Sequence, residues 1–118
     1  MITPSLTQEV TALHANICSA LADPNRILIL YALNEKPCSV NTLSEELGIS
    51  QSATSRHLHL LRERGMVTSQ RDGQMVVNSL SDPRIIEALD LLRAVLTSKL
   101  KSQAAWLEPE TKRHDEIK

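Results

Sequence analysis

The chain has 118 residues, of which 42% are hydrophobic and 23% charged, and its formal net charge is −1 at pH 7. This length and composition predict one globular domain with a small core rather than a disordered protein. The chain has no Phe, one Tyr and one Trp, so it lacks the aromatic platforms on which single-stranded nucleic acids stack.

Targeting and membrane segments are not evident in the sequence. No stretch approaches the roughly 20 apolar residues of a membrane span, and no basic segment followed by an apolar run begins the chain. We therefore expect a cytoplasmic protein without membrane contact. In that compartment the two cysteines are expected to be reduced thiols rather than a structural disulfide.

The first third of the chain predicts two helices. Apolar residues recur at three- and four-residue spacing from Leu6 to Leu21, which predicts an amphipathic helix over about residues 6–22. Asp23 can cap the next helix, and Pro24 suits its first position. The apolar run that follows predicts a central helix over residues 25–33.

Residues 39–64 predict two further helices joined by a tight turn. The first begins near Val40 or Asn41, Gly48 suits a left-handed residue at its end, and Ser50 can cap the second. A helix, a three-residue turn containing Gly, and another helix form the spacing of a helix-turn-helix.

The second helix of this motif, over residues 51–64, is rich in hydroxyl and amide side chains. Ser and Thr form helices less readily than Ala or Glu, so their number here favours a binding role. Hydroxyls and amides bond phosphates and base edges, and Arg bonds guanine and phosphate. The helix is therefore predicted to read duplex DNA, with Ser50 at its start and an exposed face made of Gln51, Ser52, Thr54, Ser55, Arg56 and His59.

Residues 66–80 predict a β-hairpin with its turn at Asp72-Gly73. This dipeptide between two strand-like runs indicates a two-residue type I′ turn, in which Gly supplies a positive φ. Arg71 and Gln74, at the tip, are expected to contact DNA as a wing. Residues 50–75 carry four Arg against two acidic residues, and this local net charge of +2 favours a DNA partner despite the overall charge of −1.

A second Asp-Pro pair, Asp82-Pro83, begins the last predicted helix, which extends to about Gln103. Its apolar stripe is wider than a chain of this size can cover, so part of it is expected to face a second subunit. The expected organisation is a DNA-binding and dimerisation domain over residues 1–103, followed by a polar tail over residues 104–118.

Two segments resemble those of a known repressor family. They are Leu-Ala-Asp-Pro-Asn-Arg-Ile-Leu-Ile-Leu at 21–30 and Ser-Ala-Thr-Ser-Arg-His-Leu-His-Leu-Leu-Arg-Glu-Arg-Gly-Met-Val at 52–67, and they resemble segments of the ArsR/SmtB repressors. The resemblance covers about residues 6–100. It implies a mainly α winged helix-turn-helix with a small β-hairpin wing, homodimeric through its first and last helices. It also implies a repressor that leaves its DNA operator when an inducer binds.

The metal sites of the best-known members of that family are not preserved. Arsenic-sensing members carry Cys-Val-Cys where this chain has Ser39-Val40-Asn41. Zinc-sensing members place ligands along the last helix, where this chain keeps Asp82 but has Arg84, Val95 and Ser98 at the other positions. Arg and Val cannot ligate zinc, so we expect no metal at these sites and no cofactor, and the inducer remains unidentified.

The two cysteines are the remaining candidates for a sensor. Cys18 and His14 are four residues apart on the first helix, which could supply two soft ligands or a perturbed thiol, or simply two core residues. Cys18 and Cys38 would approach each other if the first helix ended beside the start of the third. A reversible disulfide there could disengage the DNA-binding helices, although free Cys is often only buried.

Three functions stay open on the sequence alone. The first is a sequence-specific repressor released by an unidentified signal, with thiol oxidation as one candidate. The second is a winged-helix module that binds proteins rather than DNA, and the third is a metal- or metalloid-responsive repressor with a non-standard site. An enzyme is not expected, because we find no glycine-rich phosphate loop, paired carboxylates or activated nucleophile.

Overall fold

The structure, a computed structural model, describes residues 1–107. It divides the chain into two compact units, Met1–Pro83 and a second that begins at Arg84. The fold is mainly helical with one antiparallel hairpin, as predicted. Its main elements are α1 (Pro4–Leu13), α2 (Pro24–Glu35), α3 (Val40–Leu47), α4 (Gln51–Glu63), β1 (Val67–Asp72), β2 (Met75–Leu80) and α5 (Arg84–Leu107).

The first helix is interrupted, unlike the continuous helix expected over residues 6–22. α1 ends at Leu13 and is followed by a π-helical turn, His14–Cys18, and a 3₁₀ turn, Ala20–Ala22. The backbone N–H of Ser19 donates to the carbonyl of His14 at 3.0 Å, five residues back. Both His14 and Cys18 are exposed, so the interpretation of the two as core residues is wrong.

The predicted starts of α2 and α4 are confirmed by their caps. The Asp23 carboxylate accepts a hydrogen bond from the backbone N–H of Asn25 at 2.8 Å, and Pro24 is the first residue of α2. The Ser50 hydroxyl accepts from the N–H of Ala53 at 3.1 Å at the start of α4. These contacts join residues two or three positions apart, which is why the sequence reveals them.

The core of the first unit is almost wholly aliphatic, as the absence of Phe requires. α2 packs against α3, α4 and β2, and removing each fully buried Leu or Ile from water stabilises the fold by about 1.5–3 kcal/mol. The largest fully buried apolar side chains are Ile29, Leu30, Leu43, Leu58, Leu61 and Met66. α4 is thereby fixed along one side, and its opposite side faces solvent.

The hairpin turn lies one residue later than expected. Asp72 pairs with Met75, so the two-residue loop is Gly73-Gln74. Gly73 has a φ of +65°, and every other residue with positive φ in the described part of the chain is also a glycine. A type I′ turn needs positive φ at both loop positions, whereas type II′ needs it only at the first. The predicted type I′ turn is therefore wrong, because β1 continues through Asp72 and Gly73 takes the first loop position.

The second unit contains α5, which extends beyond the expected end near Gln103. The helix continues to Leu107, so the predicted boundary between domain and tail falls within it. The rest of the predicted tail, residues 108–118, lies outside the described residues. Between Arg84 and Gln103 the large exposed apolar side chains are Leu91, Leu92, Val95, Leu96 and Leu100. Among the described residues no helix is both long and apolar enough to cross a membrane.

Candidate nucleic-acid interface

The turn between α3 and α4 sets the direction in which α4 leaves the core. Gly48 ends α3 in the left-handed region, with φ +68° and ψ +32°. The N–H groups of Gly48 and Ile49 both donate to the carbonyl of Ser44, at 2.9 and 3.2 Å. This closing arrangement needs a residue that tolerates positive φ. It directs the chain from Ser50 straight into α4.

One side of α4 presents polar side chains to solvent, as the sequence predicted. We call this set the polar face, and it consists of Gln51, Ser52, Ser55, Arg56 and His59, all of them exposed. Contact between the polar face and DNA stays a prediction. Ser50 is also exposed, and its hydroxyl caps the helix while lying 3.2 Å from the hydroxyl of Ser52.

Thr54 does not belong to this face, and its predicted exposure is wrong. The side chain is 0% exposed, and its hydroxyl donates to the carbonyl of Ser50 at 2.9 Å. Positions 54, 58 and 61 follow helical spacing, and Leu58 and Leu61 are also 0% exposed. That spacing was the signal that could have placed Thr54 inside.

Asn41 is a polar-surface residue that the sequence did not single out. It lies in the first turn of α3, is exposed, and accepts a hydrogen bond at Oδ1 from the Nε2 group of Gln51. The contact joins the two helices of the motif through their side chains. It also leaves Oε1 as the acceptor with which Gln51 can meet a donor on another molecule.

His59 has an acidic neighbour one helical turn away. Its Nε2 atom lies 3.0 Å from a carboxylate oxygen of Glu63, and both side chains are more than half exposed. An exposed pair of this kind contributes about 0.2–1 kcal/mol at most. Glu63 therefore places a negative charge beside the C-terminal end of the polar face.

The hairpin tip carries Arg71 and Gln74 in exposed positions on either side of Gly73. We call residues Arg71–Gln74 the wing. Beside it, Met75 and Val76 are apolar yet 57% and 40% exposed. They form one side of a shallow groove of about 260 Å³, whose other lining residues are Ser39, Val40 and Asn41. The apolar side of the wing was not expected from the sequence.

Two of the four arginines in residues 50–75 form hydrogen bonds within the chain. Arg62 donates from Nη1 to the hydroxyl of Ser69 on β1 at 3.0 Å. Arg64 donates from Nη1 to the backbone carbonyl of Ala15 at 2.8 Å. The local charge of +2 therefore overstates what is free to meet a phosphate, and of these four arginines Arg56 and Arg71 are the two predicted DNA contacts.

The inner side of α4 is held by Arg26 of α2. Its Nε group donates to the carbonyl of Ala20 at 2.7 Å, and Nη1 lies 3.3 Å from Nδ1 of His57. Because a guanidinium can only donate, Nδ1 of His57 is the acceptor. His57 is half-buried, so it is a packing residue of α4 rather than part of the polar face.

The two candidate sensor thiols lie in different environments. Cys18 is exposed, whereas Cys38 is buried and donates from Sγ to the carbonyl of Lys36 at 3.3 Å. Burial raises the pKa of the Cys38 thiol, and the negative charge of Glu46 raises it further. Since the thiolate is the reactive form, Cys38 is a poor nucleophile. A disulfide between the two stays a prediction.

The described residues contain no complete set of metal ligands. Among residues 1–107 no group of three or more His, Cys, Asp or Glu side chains is placed to hold a metal ion. His14 and Cys18 offer two ligands on one π-helical turn, fewer than a tetrahedral site requires.

Comparison with known proteins gives one consistent result. A model of the arsR family of bacterial regulatory proteins matches residues 23–69. The HTH-type transcriptional regulator NmtR of Mycobacterium tuberculosis is 39% identical over 85 residues, which are 72% of this chain and 71% of that protein. The crystal structure of M. tuberculosis Rv0081 superposes with a TM-score of 0.71 at 32% identity, covering 86% of this chain and 98% of that one.

A more distant structure shares the fold alone. It is the solution structure of a homodimeric winged helix-turn-helix DNA-binding domain from Mycobacterium bovis, with a TM-score of 0.72 at 20% identity. The alignment covers 85% of this chain and 92% of that domain. The predicted winged helix-turn-helix is confirmed.

Proposed function

The chain belongs to the arsR family of bacterial regulatory proteins, and we propose that it is a sequence-specific repressor that binds duplex operator DNA as a homodimer. One observation carries the proposal. The polar face of α4 is presented to solvent by a helix whose other side, with Leu58 and Leu61, is fully buried. The relatives are transcriptional regulators, and we assign no enzymatic activity to this chain.

In the proposed complex α4 lies in the major groove of each half-site. Gln51 and Arg56 are the base-reading candidates, because an amide pairs with adenine and a guanidinium with guanine. The hydroxyls of Ser52 and Ser55 suit phosphate contacts, and Arg71 reaches the backbone from the wing. A bacterial operator lies in the cytoplasm, so the proposal places the protein there.

The proposed dimer is supported by apolar side chains on two helices. On α1, Leu6, Val10 and Leu13 are each 44–51% exposed. On α5, five large apolar residues between Leu91 and Leu100 are more than half exposed. Such surfaces are stabilised by a second copy. A two-fold dimer would present two α4 helices to half-sites about 34–36 Å apart.

Binding to duplex DNA separates the repressor from a winged helix that binds only proteins. The experiment titrates the protein against the DNA upstream of its own gene at several salt concentrations. A repressor with 6–10 phosphate contacts loses about 10³–10⁵ in affinity between 50 and 200 mM salt. Absence of binding at low salt would contradict the repressor and favour the protein-interaction alternative.

For the releasing signal we keep thiol oxidation as the candidate, resting on Cys18 because it is the exposed thiol. A peroxide would oxidise the exposed Cys18 thiolate first, to a sulfenic acid, and the Cys38 thiol would then displace water from it to form the disulfide. The burial of Cys38 slows this second step. A metal- or metalloid-responsive site would need ligands beyond His14 and Cys18. Operator release by oxidant, and its loss in Cys18→Ser, is the test.

A further inference from the structure

We propose that Arg62, Ser69 and Asn78 form a tie that fixes the wing against α4, so that Arg62 acts on DNA binding by positioning Arg71. The inference rests on the proposed function, because it assigns a positioning role to a residue of the same DNA-binding surface. A count of basic residues would instead place Arg62 among the phosphate contacts.

The tie is a continuous chain of hydrogen bonds between three elements. Arg62, near the end of α4, donates from Nη1 to the Ser69 hydroxyl of β1 at 3.0 Å. The same hydroxyl donates to Oδ1 of Asn78, on β2, at 2.7 Å. Ser69 thus uses its oxygen as acceptor and its hydrogen as donor, so the direction of both bonds is fixed.

Asn78 gives the tie a rigid end. Its side chain is 0% exposed, and its Nδ2 group donates to the backbone carbonyl of Cys38 at 3.1 Å. The backbones of Asn78 and Cys38 exchange two further hydrogen bonds, of 2.8 and 3.0 Å. A buried amide with both ends bonded is costly to displace. The hairpin is therefore anchored to the segment that precedes α3.

The strand periodicity connects this anchor to the wing. Ser69 and Arg71 are two residues apart on β1, so their side chains lie on the same face of the hairpin. Their cross-strand partners are Asn78 and Val76, which share that face. The tie at Ser69 therefore orients the hairpin face that carries Arg71. Without it, twisting of an isolated two-stranded ribbon would move Arg71 relative to α4.

The first test needs no DNA. Amide hydrogen exchange in residues 70–77 is measured in the free protein for Arg62→Ala, Ser69→Ala and Ser69→Thr, with Arg56→Ala as the matched α4 control. We expect faster exchange in Arg62→Ala and Ser69→Ala, because each removes a group of the tie. Ser69→Thr keeps the hydroxyl and Arg56 lies outside the tie, so these two variants should exchange as the wild type does. Wild-type exchange in Arg62→Ala would overturn the tie. Because Arg62 is exposed, Arg62→Ala still tests the tie if Ser69→Ala fails to fold.

The second test is a double-mutant cycle on operator affinity and its salt dependence. Arg62→Ala should weaken binding and lower the salt slope by about one, the value of a single phosphate contact. In the Arg62→Ala background, adding Arg71→Ala should reduce operator affinity by less than a further twofold, because the phosphate contact of Arg71 is already lost. By contrast, the separate losses of affinity in Arg56→Ala and Arg71→Ala should multiply when the two are combined. Multiplying losses for Arg62 and Arg71 would show that Arg62 contacts DNA itself and overturn the inference.

The outcomes distinguish a failure of the proposed function from a failure of the tie. A wild-type protein that binds no duplex would overturn the proposed function, and with it the role of the tie in DNA binding. Wild-type binding combined with Arg62→Ala at full affinity would overturn the tie alone.

Discussion

Arg64, at the end of α4, donates a hydrogen bond of 2.8 Å to the carbonyl oxygen of Ala15 in the π-helical turn. The same carbonyl accepts a bond from the hydroxyl of Ser19. Arg26 donates to the carbonyl of Ala20 and approaches His57 of α4. Where the π-helical and 3₁₀ turns after α1 depart from α-helical geometry, their carbonyls need other donors, and the guanidinium groups of Arg64 and Arg26 supply them. The interrupted segment is thereby attached to α4.

Arg64→Ala is expected to destabilise the protein and leave the polar face unchanged. The loss of one side-chain-to-backbone hydrogen bond should lower the free energy of unfolding by about 0.5–1.5 kcal/mol. Urea denaturation monitored by circular dichroism measures it. Arg56→Ala, on the same helix but exposed, is the control and should unfold as the wild type does. Equal stability of the two variants would show that the contact with Ala15 contributes nothing.

Gln51→Ala and Arg56→Ala are expected to weaken operator binding without unfolding the protein, because both side chains are exposed. Each lost base contact should cost about 1–3 kcal/mol and relax the preference at one base pair. Binding to a panel of single-base operator variants measures both effects. Full wild-type affinity in Arg56→Ala at several salt concentrations would contradict the assignment of α4.

Arg71→Ala should weaken binding to all sequences alike. A phosphate contact carries no sequence information, and its loss should lower the salt slope by about 0.9. The measurement compares specific and random duplexes across a salt series, with Gln70→Ala as a neighbouring uncharged control. A selective loss of the operator alone would instead make Arg71 a base-reading residue.

Thr54→Val is expected to affect folding rather than recognition. The substitution keeps the shape of a fully buried side chain but removes the hydroxyl that donates to Ser50. We expect a loss of about 0.5–1.5 kcal/mol in unfolding free energy and an unchanged preference for operator bases. A changed base preference, measured on the same operator panel, would restore Thr54 to the DNA-contacting set.

The two thiols are expected to differ in reactivity. Cys18 is exposed, whereas burial raises the pKa of Cys38 and hinders access. In the folded protein Cys38 therefore keeps its proton to higher pH than an ordinary thiol, and alkylation near pH 8 should modify Cys18 first. Mass spectrometry of timed iodoacetamide reactions, with the urea-unfolded chain as reference, measures the order. Faster labelling of Cys38 would contradict the burial.

The raised pKa of Cys38 also fixes the sign of a stability change. The unfolded chain loses the thiol proton at lower pH than the folded chain does. The stability linked to Cys38 is therefore complete below the unfolded pKa and falls as the pH rises through it towards the folded value. Cys38→Ser should reduce this alkaline loss of stability.

The proposed thiol switch makes a separate prediction about DNA binding. Both Cys18→Ser and Cys38→Ser should bind the operator when reduced, and oxidant should not release either variant from it.

The sequence alone determined the order of the elements and their caps. Asp23-Pro24, Gly48 and Ser50 act on backbone groups within a few residues, and apolar spacing marks each buried helix face, so local rules suffice. The resemblance of residues 21–30 and 52–67 to a repressor family then indicated the function, which the comparisons support.

Only the tertiary structure decided which polar residues are free to act. Arg64 meets Ala15 across 49 positions of sequence and Arg26 meets His57 across 31, and no local pattern predicts such partners. The hydrogen bond from Arg62 to Ser69 and the burial of Thr54 and Asn78 likewise depend on which elements pack together. Periodicity and capping concern neighbours along the chain, whereas burial and long-range hydrogen bonds depend on which elements pack together.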